Sequence, residues 1–216
     1  QVASLTDQSN KAILASFCQR LYNKGFTPAC SGNVSLKGEN GIYITPSGWC
    51  LGDVYPHHIV FLEPGGTVHC ETEDLKPSSE KIIHQKIYTA RTSINAIVHA
   101  HPPKAIALCL AGIALDQPLL AEVLLTLGTV PLIPYILPGS EALANHLHDT
   151  LKNHHAALMA NHGVITVGET LEEAYYRLEL VESLAESVIL AKQLGQINTL
   201  TKDQIEAIKA AHGNPQ

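Results

Sequence analysis

Three short strand-like stretches, residues 33–36, 41–44 and 59–62, follow one another across breaks made of Gly, Asn and Pro. Such spacings suit hairpins and meanders and are too short for the helical crossovers that a wholly parallel sheet requires. Helical segments, with apolar residues three and four apart, surround them. Residues 8–24 carry Ile13, Leu14, Phe17, Leu21 and Tyr22 and stop at Gly25, and residues 79–91 turn Ile82, Ile83, Ile87 and Tyr88 inward. A strand over 94–101, a helix over 104–111 behind Pro102-Pro103, a strand over 130–136 and a helix over 141–152 come next. Residues 156–161 and 164–167 pair around His162-Gly163. Thr170 and Glu173 have the spacing of a capping box. They open a long helix with apolar positions at Leu171, Ala174, Leu178, Val181, Leu184, Val188 and Leu194, and residues 201–216 read as a short helix and tail. Strands interleaved with helices along the whole chain imply an α/β protein of three layers, helix on sheet on helix. With 216 residues and neither repeat nor low-complexity linker, the expectation is one domain over residues 1–216.

Composition removes several functions. The net charge is −6, and the 14 Lys and Arg are scattered without a basic run, so neither a nucleic-acid partner nor an anionic membrane surface is indicated. No apolar run reaches the ~20 residues of a membrane span. Residues 1–10 are polar, unlike a signal peptide, and the expected compartment is the cytoplasm. Five cysteines, Cys18, Cys30, Cys50, Cys70 and Cys109, lack any Cys-x-x-Cys spacing, which argues against both a disulfide framework and a thiolate metal site. Cys30 and Cys50 lie beside glycine loops and read as core or pocket-wall residues.

The apolar run 94–98 ends in His99-Ala100-His101. Alternate side chains of an extended strand share a face, so His99 and His101 point the same way and can close on one ion. A third histidine, His162, follows the apolar run 156–159, and Glu80 lies upstream. Three imidazoles and a carboxylate suit Zn2+ best, with Mn2+, Fe2+ or Co2+ as alternatives. Three loops share another chemistry: Ser31-Gly32-Asn33, Thr45-Pro46-Ser47-Gly48 and Lys76-Pro77-Ser78-Ser79-Glu80. Glycine admits a ligand close to the backbone, serine offers rotating donors, and a helix start exposes amides that favour an anion. A phosphate held here would rest on backbone and hydroxyls. Each loop alone is equally well an ordinary turn or helix cap, Ser78 included.

Taken in order, Ser31-Gly32-Asn33-Val34-Ser35, Ile44-Thr45-Pro46-Ser47-Gly48, Lys76-Pro77-Ser78-Ser79-Glu80, Ile97-Val98-His99-Ala100-His101-Pro102, Pro134-Tyr135 with Pro138-Gly139-Ser140, and Ala160-Asn161-His162-Gly163 resemble the class II aldolase/adducin family from about residue 31 to about 194. The resemblance implies a three-layer α/β/α fold on a mixed, largely antiparallel sheet. It implies a catalytic zinc held by His99, His101 and His162, with Glu80 as the acid/base that also ligates the ion before substrate arrives. Gly32 with Asn33, Ser47 with Gly48, and Ser78 with Ser79 match the positions that hold the substrate's phosphate and carbonyl end. Two departures stand out: Glu122 lies where aldolases of the family carry a first catalytic tyrosine, and no tyrosine follows Tyr176.

The implied activity is cleavage of a small ketose phosphate to dihydroxyacetone phosphate and an aldehyde through a metal-stabilised enediolate. Decarboxylation of a 3-keto sugar-acid phosphate or a hydroxy-aromatic acid is the alternative, with Lys104, His57, His58 and Tyr135 as candidate carboxylate partners. A non-catalytic, adducin-like assembly module is the rival of another class, and the intact set of Glu80 and three histidines speaks against it. The resemblance also implies a homotetramer. The apolar stretch 113–127, charged only at Asp116 and Glu122, is its candidate contact.

Overall fold

Helix α1 (Leu5–Asn23) leads into the hairpin of β1 (Asn33–Gly38) and β2 (Gly41–Ile44), and β3 (Val60–Leu62) and β4 (Val68–His69) extend the meander. Next come α2 (Lys81–Ile87), β5 (Ala96–Ala100), α3 (Pro103–Ala111), α4 (Ala121–Thr126), β6 (Leu132–Ile133) and α5 (Glu141–Thr150). The chain ends with β7 (Ala156–Met159), β8 (Gly163–Gly168), α6 (Leu171–Leu194) and α7 (Lys202–His212). These coordinates are a computed structural model and describe residues 5–213.

The strands form one eight-stranded sheet in the order β4-β3-β2-β1-β5-β8-β7-β6. Every neighbouring pair is antiparallel except β6 with β7, so the sheet is mixed and largely antiparallel, as expected. Strand alternation sorts the core into two layers. Ala96, Val98 and Ala100 of β5 face a cluster with Leu14 and Leu21 of α1, Leu108 of α3 and Leu178 and Val181 of α6. Ile97 faces the opposite cluster, with Ile83 and Ile87 of α2 and Leu143 and Leu147 of α5. His99, two residues beyond Ile97, therefore belongs to the α2/α5 side. Register then chooses its neighbours: Asn33 of β1 pairs with His99, and Ile165 of β8 pairs with it from the other side.

Several expectations change on folding. The strand anticipated over 130–136 shrinks to β6, because Pro131 and Pro134 cannot donate to a ladder. Ile82 is exposed while His84, on the same helix, is completely buried. The inward face of α2 is fixed by Glu80, Ile83, His84 and Ile87, and an apolar count alone misplaces Ile82. Leu194, expected on the apolar face of the long helix, is 90% exposed at the end of α6. Thr170 caps α6 by accepting from the Glu173 amide, but the Glu173 carboxylate accepts from the amide of Glu169 and leaves the capping box half made. Within the apolar stretch 113–127, α4 forms as a short helix that the sequence pattern does not announce. No helix among the described residues is long and apolar enough to cross a membrane.

Candidate metal and catalytic site

The site grows from the ends of the central strands. His99 is buried near the end of β5, and its Nδ1–H donates to the Val164 carbonyl at 2.9 Å. That bond fixes the tautomer and leaves the Nε2 lone pair facing inward. His101, just past β5, is held by its backbone amide to the Phe26 carbonyl at 2.7 Å, and its Nε2 lies 3.3 Å from His99 Nε2. His162 comes from the tight turn between β7 and β8. There Asn161 takes the left-handed conformation (φ 55°), and the His162 amide closes on the Met159 carbonyl at 3.1 Å. The nitrogens that the three histidines offer all lie within 4.8 Å of one another. The packing needs a glycine at Gly163, where a Cβ would stand 2.6 Å from His101 Cδ2 and 2.8 Å from the Ala100 carbonyl oxygen.

Glu80 precedes α2 at the N-cap position, but its side chain does not cap the helix. It reaches across to the histidines. Oε2 lies 3.2 Å from His99 Nε2 and accepts from Asn33 Nδ2 at 2.8 Å; Oε1 lies 3.4 Å from His162 Nε2 and is buried without a hydrogen bond. Burial acts to raise the Glu80 pKa, yet His99, His162 and the Asn33 donor outweigh it and hold the carboxyl well below the usual carboxylate range. Burial, with the neighbouring histidines, pushes His101 down to about 4, and burial lowers His99 as well. The cluster thus sets an anionic carboxylate beside His99 and His101, both shifted toward the neutral imidazole, the form in which histidine binds metal. Two imidazole nitrogens facing each other and an unpartnered buried carboxylate oxygen fit one divalent cation.

The three loops meet at this cluster. The Ser47 amide donates to the Lys76 carbonyl at 2.9 Å and the Ser78 amide to the Thr45 carbonyl at 3.0 Å, so two of the loops are zipped together. Ser78 Oγ accepts from the Glu80 amide at 3.2 Å, the turn-forming role foreseen as its alternative. Gly32 is left-handed, and a Cβ there would press on Thr27 and on the His99 carbonyl. Together with the metal cluster, Gly32, Asn33, Ser47, Gly48, Ser78 and Ser79 line a cleft of about 530 Å³ that Cys30, Ser31, Pro46, Pro138 and Gly139 complete. No lysine or arginine among the described residues lines it.

Other residues singled out in the sequence lie elsewhere. Glu122 is exposed on α4 and takes no part in the cleft wall. Lys104 is engaged by Glu182 and Glu186, and His57, His58, Tyr135 and Cys50 do not line the cleft. A wider groove of about 880 Å³ runs between the β1–β2 turn and α2, but no histidine or cysteine lines it. The sequence reading missed a polar chain behind Asn33. His84 Nε2 meets Asn33 Oδ1, His84 Nδ1 lies 2.6 Å from Ser35 Oγ, and Ser35 Oγ lies 2.7 Å from the Tyr88 hydroxyl. Burial lowers His84 to about 3 and raises Tyr88. The signal was available: residues 80, 84 and 88 share one helical face.

The chain is similar to known proteins. A 3-oxo-tetronate 4-phosphate decarboxylase of Escherichia coli (strain K12) is 30% identical over 214 residues, covering 94% of this chain and 97% of the relative. An L-fuculose phosphate aldolase of Methanococcus maripaludis (strain C5) is 32% identical over 190 residues, covering 87% and 99%. Among solved structures, an L-fuculose 1-phosphate aldolase superposes with a TM-score of 0.85 at 27% identity over 97% of each chain. YgbL from Escherichia coli, described only within the aldolase/epimerase/decarboxylase group, gives 0.84 at 28% identity over 94% of this chain and 99% of its own. The family model of the Class II Aldolase and Adducin N-terminal domain matches residues 12–189, and the chain belongs to that family.

Proposed function

We propose that this protein is a metal-dependent carbon–carbon lyase that cleaves a small ketose phosphate to dihydroxyacetone phosphate and an aldehyde. The observation that carries the proposal is the Glu80 carboxylate, its Oε1 buried, set against His99 and His162, beside His101, in a cleft walled by serines and glycines. A divalent ion, Zn2+ best and Mn2+, Fe2+ or Co2+ also suited to the donors, would be held by the three histidines with Glu80 in the remaining place, and when bound it supplies Lewis-acid polarisation of the carbonyl. Ser47, Gly48, Ser78 and Ser79 receive the phosphate through hydroxyls and amides, since the cleft wall has no cationic side chain. Gly32 lets the substrate's carbonyl end approach the backbone, and Asn33 offers it an amide N–H.

Glu80 carries the proton. In cleavage, Glu80 takes the proton of the hydroxyl on the departing carbon as the carbon–carbon bond breaks. The electrons of that bond pass to the carbonyl oxygen, the aldehyde leaves and the enediolate of dihydroxyacetone phosphate remains. Glu80 then delivers the proton to the enediolate carbon, and in the synthetic direction removes it. A carboxylate held ionised in the resting site is ready for that removal.

One observation favours a second reading: the decarboxylase relative spans 94% of this chain. Loss of CO2 from a 3-oxo-tetronate 4-phosphate leaves the same enediolate, so both reactions use one proton-transfer site and differ in the leaving group. Glu122, exposed on α4, would serve either reaction only from a neighbouring subunit of a homotetramer, and a cytoplasmic enzyme of phosphorylated sugars is the setting we infer. The test offers metal-loaded protein a set of ketose 1-phosphates and 3-oxo-tetronate 4-phosphate, following dihydroxyacetone phosphate and CO2. Dihydroxyacetone phosphate with an aldehyde and no CO2 is expected. A higher kcat/KM on the keto acid, with CO2, transfers the assignment to decarboxylation, and no product from either class refutes both.

A further inference from the structure

His84 is completely buried and lies outside the cleft wall, yet both of its ring nitrogens are engaged. The direction of every bond in its chain is fixed from one end. The Glu80 carboxylate only accepts, so Asn33 must turn its NH2 toward Glu80 and its carbonyl toward His84. That carbonyl requires a donor, which places the His84 proton on Nε2 and leaves Nδ1 to accept from the Ser35 hydroxyl. Ser35 in turn accepts from the Tyr88 O–H. Leu147, Met159 and Ile165 wall the space beside His84 and Asn33, and it holds no room for a water that could replace a lost bond.

We propose that His84 is a positioning residue: its Nε2–H locks the Asn33 amide with the NH2 toward Glu80, and this sets the carboxylate against the three histidines. Without that donor the amide is free to turn over. Its carbonyl would then face an anionic carboxylate, and Glu80 would be pushed from the cluster. The inference rests on reading Glu80 and the histidines as a metal site, but not on which substrate is cleaved.

Three variants and one spectrum test it. His84→Met keeps volume and removes the donor, His84→Gln returns an amide N–H to the Nε2 place, and Tyr88→Phe cuts the same chain at its outer end. Affinity for Zn2+ alone, measured by chelator competition, should fall ~10- to 100-fold in His84→Met, the range typical of a group behind a metal ligand. It should return to within a few-fold of wild type in His84→Gln and stay unchanged in Tyr88→Phe, even where thermal stability falls in all three. Wild-type Zn2+ affinity in His84→Met, or an equal loss in Tyr88→Phe, would reduce the chain to packing and overturn the proposal. Histidine-labelled wild-type protein needs no variant to fold: 15N NMR should find His84 protonated at Nε2, and an Nδ1–H tautomer refutes the proposal outright. Wild-type protein that binds no Zn2+ would instead sink the metal reading and leave the tautomer result to be judged on its own.

Discussion

Replacing Gly163 with Ala adds one methyl group and should empty the metal cluster. The new Cβ would lie 2.6 Å from His101 Cδ2, about 0.8 Å inside the ordinary 3.4 Å contact, and 2.8 Å from the Ala100 carbonyl oxygen. Ala100 pairs with Val164 in the centre of the sheet, so the carbonyl has nowhere to retreat. His99 is no freer, because Nδ1 is tied to the Val164 carbonyl. The His101 ring must therefore take up the strain. Metal sites tolerate ligand displacements of only ~0.2 Å, and a ring moved several times that distance leaves the donor set. Zn2+ affinity should fall at least ~100-fold, beyond the usual effect of groups behind the ligands. Overpacking costs ~1–3 kcal/mol, a loss of several degrees in Tm for a chain of this size. Gly48→Ala is the control: Gly48 is left-handed (φ 74°) with open space around its Cβ position, so that variant should lose Tm through backbone strain and leave Zn2+ binding intact. Chelator competition and thermal melts on the two proteins decide the matter. Gly163→Ala with wild-type Zn2+ affinity would refute the claim that these imidazoles are positioned for an ion.

Three further outcomes follow from the same geometry. His101→Ala should lower Zn2+ from close to one per chain to near zero by elemental analysis, since two histidines and Glu80 leave an incomplete donor set; wild-type metal content would contradict the ligand assignment. His84 is held near 3 against 6.5 for an unperturbed histidine, so below pH 6.5 the unfolded chain binds the extra proton. Its contribution to stability is complete above about pH 6.5 and is lost as pH falls toward 3, by ~1.4 kcal/mol per pH unit. Urea melts at pH 7, 6, 5 and 4 should show a shallower pH slope in His84→Gln, and an unchanged slope would place His84 among solvated groups. Light scattering at micromolar concentration should return four chains, with Glu122→Gln slowing turnover while leaving the mass unchanged; a monomer mass would end any catalytic part for Glu122.

The sequence carried much of this arrangement because local rules govern it. Alternation along an apolar strand put His99 and His101 together, and the turn residues Asn161 and Gly163 brought His162 back to them. What escaped was long-range or hidden by averaging. Nothing local pairs Asn33 with His99; that register arises from β1 lying against β5, a strand remote in the chain. His84 was overlooked because apolar periodicity counts a buried polar residue as a gap, although its spacing from Glu80 marked it. The short β6 and α4 reflect prolines and tertiary packing that overrode a simple hydropathy pattern. One chain alone leaves Glu122 exposed to solvent.

The central claim is that Glu80 moves a proton at the carbon beside a carbonyl while His99, His101 and His162 hold a divalent ion. Proton exchange tests it without an aldehyde partner, because Glu80 must lift a proton from dihydroxyacetone phosphate to form the enediolate common to both readings. Incubated in D2O with metal-loaded protein, the hydroxymethyl carbon of dihydroxyacetone phosphate should exchange one of its hydrogens, followed by 1H NMR. Exchange should fall by at least ~100-fold in Glu80→Gln, the usual loss on removing a general acid/base, with the metal still bound. Exchange that persists in Glu80→Gln, or that never occurs in the metal-loaded wild type, would contradict the account.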